Sequence, residues 1–445
     1  MNHEVISKII ITVLTSFVFV LIVVPFIKNI AIQINAVDNN MGGRHIHKKP
    51  VPKLGGIAIF LGFLFGYMIY GTHSSTMNAI LIGSFIIVLT GVIDDITELK
   101  PLTKFVGQLC ASLIIVFYGN VLLKDVSAFG LYIDFNILSY PLTIFFILGC
   151  INCINLIDGL DGLSGGISSI YFLTIGIIAT IQGKMGLDFV LSFVMLGATL
   201  GFLVYNFNPA SIFAGDSGSM FMGFMIAVIA LLGFKNVTMT SLIIPLLVIA
   251  IPILDTIFAI LRRAIKGEKI TTGDKYHIHH QLLNRNLSQR TTVLIIYVID
   301  LLFASASIVY VLKDNKLGYI IYGILLLIVI IFVAKTNVVV DSKELKKKIS
   351  TREDRISDLE NRLDFANDTI DMLEDKVDKL QETLNYFKEL WNKFIKFLQD
   401  KFFSSNKYDD LIDELHEEEI IDDDDLEIIQ NEFSSNYNKD DDLER

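Results

Sequence analysis

The sequence predicts an all-α polytopic membrane protein of about eleven transmembrane helices, followed by a cytoplasmic coiled coil and a disordered acidic tail. Three observations predict it. Hydrophobic residues make up 52% of the 445-residue chain and the mean hydropathy is +0.56, above the range of soluble domains. The apolar residues gather in runs long enough to cross roughly 30 Å of hydrocarbon. Lys and Arg concentrate in alternate gaps between those runs. A water-soluble globular domain is excluded.

The runs lie near residues 5–27, 54–71, 77–93, 105–123, 139–156, 165–182, 187–205, 219–234, 240–261, 291–312 and 317–335. The first is too long for a cleaved signal peptide, lacks a small-residue cleavage site and precedes further spans, so it is expected to remain. The gaps after the first, third and ninth runs hold fourteen Lys or Arg, including Lys28, Arg44, Lys104, Arg262 and Arg263, against six in the opposite gaps. That asymmetry places the N-terminus outside, and the odd number of spans places the C-terminus inside the plasma membrane. Cys110, Cys150 and Cys153 all sit in apolar runs. They are read as small polarizable packing residues, with no disulfide framework.

Beyond the last span, Ile349, Ile356, Leu363, Ile370, Val377, Leu384, Trp391 and Leu398 recur every seven residues with a second apolar row between them. A strict 3.5-residue period favours supercoiling over a lone amphipathic helix. The expected organisation is a membrane domain over 1–338, a homodimerising coiled coil over 339–402 and a mostly disordered tail over 403–445. From Lys407 onward seventeen Asp or Glu face three basic residues, so the net charge of −11 belongs to the tail. Nothing in the chain calls for a nucleic-acid partner.

Four polar clusters interrupt the apolar pattern: Asp94-Asp95 with Glu98, Asn152 to Asp161, Asn206 to Gly218, and Arg262 to Leu283 with His277, His279 and His280. All fall on the inner side. A carboxylate next to hydrocarbon is too costly to keep without a cation, a metal or a proton. Clustered carboxylates with the amides of Asn152, Asn155 and Asn206 are hard oxygen ligands suited to Mg²⁺ or Mn²⁺ bridging to phosphates. The glycines of Asp158-Gly159-Leu160-Asp161-Gly162 and Gly215-Asp216-Ser217-Gly218 allow close approach of a phosphate, and Lys104, Arg262 and Arg263 offset its charge. The histidines read better as phosphate or substrate contacts than as a metal site.

The order of these motifs, DDxxE at Asp94, NxxNLIDGLDGL from Asn152, FAGDSGS from Phe213 and RR…DKxHIHHQLL from Arg262, resembles the polyprenyl-phosphate N-acetylhexosamine-1-phosphate transferases of glycosyltransferase family 4. The loop Asp38…Arg44-x-x-His47…Pro52-Lys-Leu-Gly-Gly56 also matches. The resemblance covers residues 1 to about 336. It implies transfer of a sugar 1-phosphate from a UDP-sugar to undecaprenyl phosphate with release of UMP, on the cytoplasmic leaflet. His-Ile-His-His is similar to the UDP-N-acetylglucosamine branch that starts wall teichoic acid or O-antigen; the muramoyl-pentapeptide branch has three consecutive histidines. By resemblance Asp216 and Asn155 bind Mg²⁺ and the pyrophosphate, Asp94 assists the attacking lipid phosphate and Asp95 positions that site. Asp158 and Asp161 line the nucleotide pocket, and Arg262 with His277–His280 holds the sugar phosphate. Arg44, His47, Lys104, Asn152, Asn206 and Arg263 complete the expected substrate contacts.

Two other classes remain open. A transporter would exploit Asp300, near the middle of the tenth span, although transporter sites sit at the midplane with access to both sides. An inactive coiled-coil scaffold would not need every one of these carboxylates.

Overall fold

Backbone polar groups surrounded by hydrocarbon must be satisfied within their own segment, so apolar runs become helices. The computed structural model describes residues 3–38, 50–128, 131–183, 185–235, 243–266, 277–285, 287–312 and 315–335, with Asn385, Lys388 and Trp391–Lys393. The chain divides into two compact units, Met1–Glu344 and Leu345–Arg445. The expected coiled coil and acidic tail lie outside the described residues, apart from those few helical positions, and so do Arg44 and His47.

Thirteen helices make up the described part of the first unit: α1 His3–Gln33, α2 Gly55–Tyr70, α3 Ser75–Thr97, α4 Pro101–Leu113, α5 Ser139–Ile157, α6 Leu163–Ile181, α7 Leu187–Asn206, α8 Gly215–Lys235, α9 Ile243–Val248, α10 Ala250–Lys266, α11 Ile278–Leu283, α12 Gln289–Leu312 and α13 Asn315–Lys335. Two short antiparallel ribbons accompany them. β1 (Val37–Asp38) pairs with β2 (Val51–Pro52), and β3 (Asp125–Ala128) with β4 (Leu131–Asp134). Among the described residues eight helices are long and apolar enough to cross a membrane, counting α4 with the π-helical turn Ile114–Tyr118 that continues it and α5 with the 3-10 turn Asn136–Leu138 before it, which makes this a multi-pass membrane protein. The helix α2 and the apolar part of α13, Leu317–Ile331, are shorter.

The run expected as one span over 240–261 is two helices, α9 and α10, meeting at Ile249. Pro252 supplies the reason. It has no N–H to give the Val248 carbonyl and its ring crowds that group, so the helix restarts with Pro252 in its first turn, where no donor is needed.

The central post is α8. Of its stretch Gly215–Gly233, 89% is buried inside the protein, against 22% for α1, whose remaining surface is apolar and suits lipid. Helices α2, α3, α5, α6 and α7 surround α8. Phe60 and Phe63 of α2 meet Phe221 of α8 edge-on at 5.5 and 5.6 Å, a preferred geometry for aromatic quadrupoles. Cys150 and Cys153 are buried free thiols on α5, in keeping with a packing role.

Glycine sets how closely the neighbours approach. A Cβ added at Gly56 of α2 or Gly91 of α3 would collide with the backbone of Asp216–Gly218, the first turn of α8. Backbone cannot yield as a side chain can. Gly149, by contrast, has nothing within 4 Å of such a Cβ. Gly91→Val is therefore expected to cost roughly 1–3 kcal/mol by overpacking, seen as a lower thermal midpoint in detergent. Gly149→Ala should leave the midpoint unchanged or slightly higher.

Candidate active site

The polar clusters converge at one end of the bundle: the C-terminal ends of α3, α5 and α7 and the N-terminal ends of α4, α6, α8 and α12. A cavity of about 240 Å³ opens there, walled by Asp95, Asn155, Asp158, Asp161, Asn206 and Asp216 among others. Its lining also includes Asp38 and Lys53, at the two ends of the first loop. The Lys53 end is held to Phe213 by main-chain bonds, from Phe213 N to Pro52 O at 2.8 Å and from Gly55 N to Phe213 O at 2.9 Å, and the Asp38 end pairs with Val51 in the β1–β2 ribbon.

Sequence suggests that Asp216 lies in a loop before a helix starting near residue 219. It lies instead in the first turn of α8, which begins at Gly215. The extension is explained by Asp95 of α3. Its carboxylate accepts from Asp216 N (2.8 Å), Ser217 N (3.2 Å) and Ser217 Oγ (2.8 Å), satisfying donors that a helix N-terminus leaves orphaned. Gly215 adopts φ +69°, and a Cβ there would fall against the Asp95 carboxylate, so the turn requires glycine.

Asp216 is then met from two sides. Asn155 of α5 donates its amide to Asp216 Oδ1 and, at 2.9 Å, to Ser219 Oγ. Lys104 of α4 lies with Nζ 3.0 Å from Asp216 Oδ2 and 2.7 Å from Asp94 Oδ2. The other oxygen of Asp94 accepts from Leu99 N at 2.7 Å, closing the turn from α3 to α4. Glu98, the last member of DDxxE, adopts φ 49° at the end of α3 and is exposed. It ends the helix and does not join the cluster.

Asp158 and Asp161 hold the turn between α5 and α6. Ser164 Oγ donates to Asp158, and Asp161 Oδ2 accepts from Asn208 Nδ2 and Ala210 N, both at 3.0 Å. Asn206 ties the same turn to the 207–214 loop, accepting from Gly162 N at 3.0 Å and donating to Ile212 O at 2.9 Å. Burial pushes the Asp158 carboxyl up to about 7, reinforced by the nearby charges of Asp216, Asp95 and Asp161.

The histidines stand behind this turn. Asp255 of α10 accepts from Ile278 N at 2.8 Å with one oxygen and faces His277 Nδ1 at 2.9 Å with the other. A carboxylate only accepts, so His277 carries its proton on Nδ1. His279 is 2% exposed and packs against Gly159, and burial holds its ring down to about 3, neutral at any ordinary pH. Its two neighbouring rings lie 5.6 and 4.4 Å away. Arg262 and Arg263 are buried at 3% and 6% exposure but do not line the cavity. Nor does Asn152, which is exposed and donates to Gln108 Oε1 at 2.9 Å.

Sequence reasoning misses Gln289, which lines the cavity and accepts from Asn208 at 2.6 Å. A lone glutamine opening an apolar run carries no signal. Ser219 stands within the motif region but is not singled out, although it lines the cavity beside Asn155.

Among the described residues no three His, Cys, Asp or Glu side chains form a metal-ligand group. The donors at hand are two carboxylates, Asp94 and Asp216, and one amide, Asn155. That set does not suit a structural transition metal. It suits Mg²⁺, which keeps several waters and takes further oxygens from substrate phosphates.

A cavity of carboxylates at helix ends, with one ammonium between Asp216 and the neighbouring Asp94, has the chemistry to hold a cation and, through it, phosphate oxygens. Residues 77–234 match the sequence profile of glycosyl transferase family 4. Over 332 residues, 74% of this chain and 92% of the relative, the sequence is 41% identical to the "Probable undecaprenyl-phosphate N-acetylglucosaminyl 1-phosphate transferase" of Bacillus subtilis (strain 168). It is 32% identical over 286 residues, 57% of this chain and 71% of the relative, to a decaprenyl-phosphate N-acetylglucosaminephosphotransferase of Mycobacterium tuberculosis (strain H37Rv). It is 27% identical over 299 residues, 66% of this chain and 81% of the relative, to the undecaprenyl-phosphate alpha-N-acetylglucosaminyl 1-phosphate transferase of Escherichia coli (strain K12). The chain belongs to glycosyl transferase family 4.

The two shifted groups act on stability with opposite sign. Asp158, raised from 3.8 to about 7, holds a proton in the folded state that the unfolded chain has lost, so its contribution falls as pH rises from about 4 to 7. His279, lowered from 6.5 to about 3, is neutral when folded and charged when unfolded, so its contribution is lost as pH falls from about 6.5 to 3. Asp158→Asn removes the first and leaves the second. Relative to wild type, its thermal midpoint should rise more steeply between pH 4.5 and 6.5; an unchanged slope would contradict the assignment.

Proposed function

We propose that this protein transfers N-acetylglucosamine 1-phosphate from UDP-N-acetylglucosamine to undecaprenyl phosphate. UMP is released, and the product is undecaprenyl-pyrophosphoryl-N-acetylglucosamine, the first lipid-linked intermediate of a cell-wall glycopolymer such as teichoic acid. The observation that carries this reading is the convergence on one cavity of the motifs at Asp95, Asn155 to Asp161 and Asn206 to Ser219 with the two ends of the first loop, in a chain that covers 92% of the Bacillus subtilis relative. The site faces the cytoplasm, with the N-terminus outside, eleven helical crossings and the C-terminal region inside.

In the reaction an oxygen of the lipid phosphate forms a bond to the sugar-bearing phosphorus of the donor. The bond from that phosphorus to the bridging oxygen breaks, and the electron pair leaves with UMP. Phosphoryl transfer needs little covalent help from the protein, so alignment and charge neutralisation supply most of the acceleration. Asp216 and Asn155 hold Mg²⁺, which when bound neutralises negative charge on the pyrophosphate. Lys104 brings positive charge to the same oxygens, and Asp94 orients the attacking lipid phosphate. Asp95 is a positioning residue that sets Asp216 through the first turn of α8. Asp158, Asp161 and Asn206 shape the nucleotide side of the cavity, and the neutral His279 with His277, His280, Arg262 and Arg263 backs the sugar-phosphate side. Arg44 and His47 of the first loop complete the donor site.

Asp216→Asn and Asn155→Ala should each remove most Mg²⁺-dependent transfer while the protein still folds, a loss of several kcal/mol of transition-state stabilisation. Turnover near wild type across a Mg²⁺ titration would overturn either assignment. In a donor-competition assay the purified enzyme should consume UDP-N-acetylglucosamine and leave UDP-N-acetylmuramoyl-pentapeptide untouched. Preference for the muramoyl donor would reassign the substrate within the same family.

Residues 339–402 form a parallel homodimeric coiled coil in this reading, with β-branched a positions such as Ile349, Ile356, Ile370 and Val377 favouring two strands. All the proposed catalytic residues precede it. Truncation near Asn337 should therefore preserve transfer in detergent and weaken dimerisation by light scattering; loss of catalysis in a folded truncated protein would bring the coiled coil into the active site.

A further inference from the structure

Lys104 stands where a divalent cation would be expected to stand. Its Nζ lies 2.7 Å from Asp94 and 3.0 Å from Asp216, so one ammonium fills the gap between the metal-site carboxylate and the neighbouring carboxylate that faces it. The carboxylates are fixed and the lysine is not. Asp94 is 5% exposed and pinned by Leu99 N, and Asp216 is held by Asn155 on one side and by the backbone contact with Asp95 on the other. Lys104 is 27% exposed, projects from the first turn of α4 on a flexible four-carbon stem, and bonds only to those two carboxylates among the contacts described.

We propose that Lys104 is an exchangeable counter-ion. It neutralises Asp94 and Asp216 while the site is empty, competes with the divalent cation for that pair, and moves to a phosphate oxygen of the nucleotide when the cation enters. The proposal rests on the divalent site assigned above. Its physical basis is charge: two carboxylates at a membrane interface need compensation in the empty state. A divalent ion entering beside an ammonium that stays in place meets strong repulsion at such range. Moving the lysine by a few ångströms resolves both states. Cation and nucleotide then bind cooperatively, because each draws the lysine the same way, and the coupling is reciprocal.

Mn²⁺ binding to the purified full-length protein, read from the electron paramagnetic resonance of free Mn²⁺, tests this apart from catalysis. Titrations are run with and without UDP, the Mn²⁺ held by free UDP being measured separately. Wild type should bind weakly alone and more tightly with UDP. Lys104→Met should bind Mn²⁺ about tenfold more tightly without UDP, as a competing positive charge is removed, and UDP should add less than in wild type. Lys104→Arg keeps the charge and should stay near wild type. Mn²⁺ binding lost in Asp216→Asn, but equal or weaker in Lys104→Met than in wild type, overturns the exchange and leaves the metal site standing. Wild-type binding that is absent, or indifferent to Asp216→Asn, overturns the metal assignment and the exchange with it.

Discussion

The Asp95 carboxylate, near the end of α3, takes the Asp216 and Ser217 N–H groups and the Ser217 hydroxyl in the first turn of α8, and the geometry of the site hangs on that grip. A helix N-terminus buried in a membrane protein has orphan donors that water cannot reach. Asp95 satisfies them from a neighbouring helix and so fixes where α8 begins. Gly91 and Gly56 let the α3 and α2 backbones come close enough for the contact, and Gly215 leaves room for the carboxylate. Once α8 is placed, Asp216 must face Asn155 of α5 and Lys104 of α4. A single capping interaction between α3 and α8 thereby brings four helices, with α4 and α5, to one reaction centre.

Charge balance organises the rest. Five aspartates line a cavity of about 240 Å³ whose basic lining is Lys53, with Lys104 reaching in from α4. Asp95, Asp161 and Asp255 spend their charge on backbone and side-chain donors, which stabilises loops more than it attracts ligands. Asp94 and Asp216 are the pair compensated by one ammonium, that of Lys104, and burial keeps Asp158 partly neutral. The acidic residues therefore divide into those that build the cavity and those that meet what enters it.

Much of this was legible in the sequence, because hydropathy and local motif order carry it. The expected apolar runs correspond to helix among the described residues, and Asp95, Asn155, Asp158 and Asp216, from three separate motifs, line one cavity. What was not legible depends on contacts distant in sequence. Asp216 reads as a loop residue because the cap that extends α8 lies 121 residues earlier. The run over 240–261 reads as continuous because hydropathy does not register the donor missing at Pro252. Asn152 and Asn155 look equivalent in NxxN and lie nearly one turn apart on α5, yet Asn152 is tied to Gln108 and only Asn155 lines the cavity. Gln289 enters through its partner Asn208, with no motif of its own.

Asp216 and its neighbours are proposed to hold a divalent cation against the substrate's phosphates. The anomalous diffraction of Mn²⁺ in crystals of the protein grown with UDP tests this directly. One peak is expected within about 2.2 Å of an Asp216 carboxylate oxygen, as oxygen ligation of a small hard cation requires, with Lys104 turned toward the nucleotide. A peak among His277, His279 and His280 instead, with Lys104 still between Asp94 and Asp216, would contradict it.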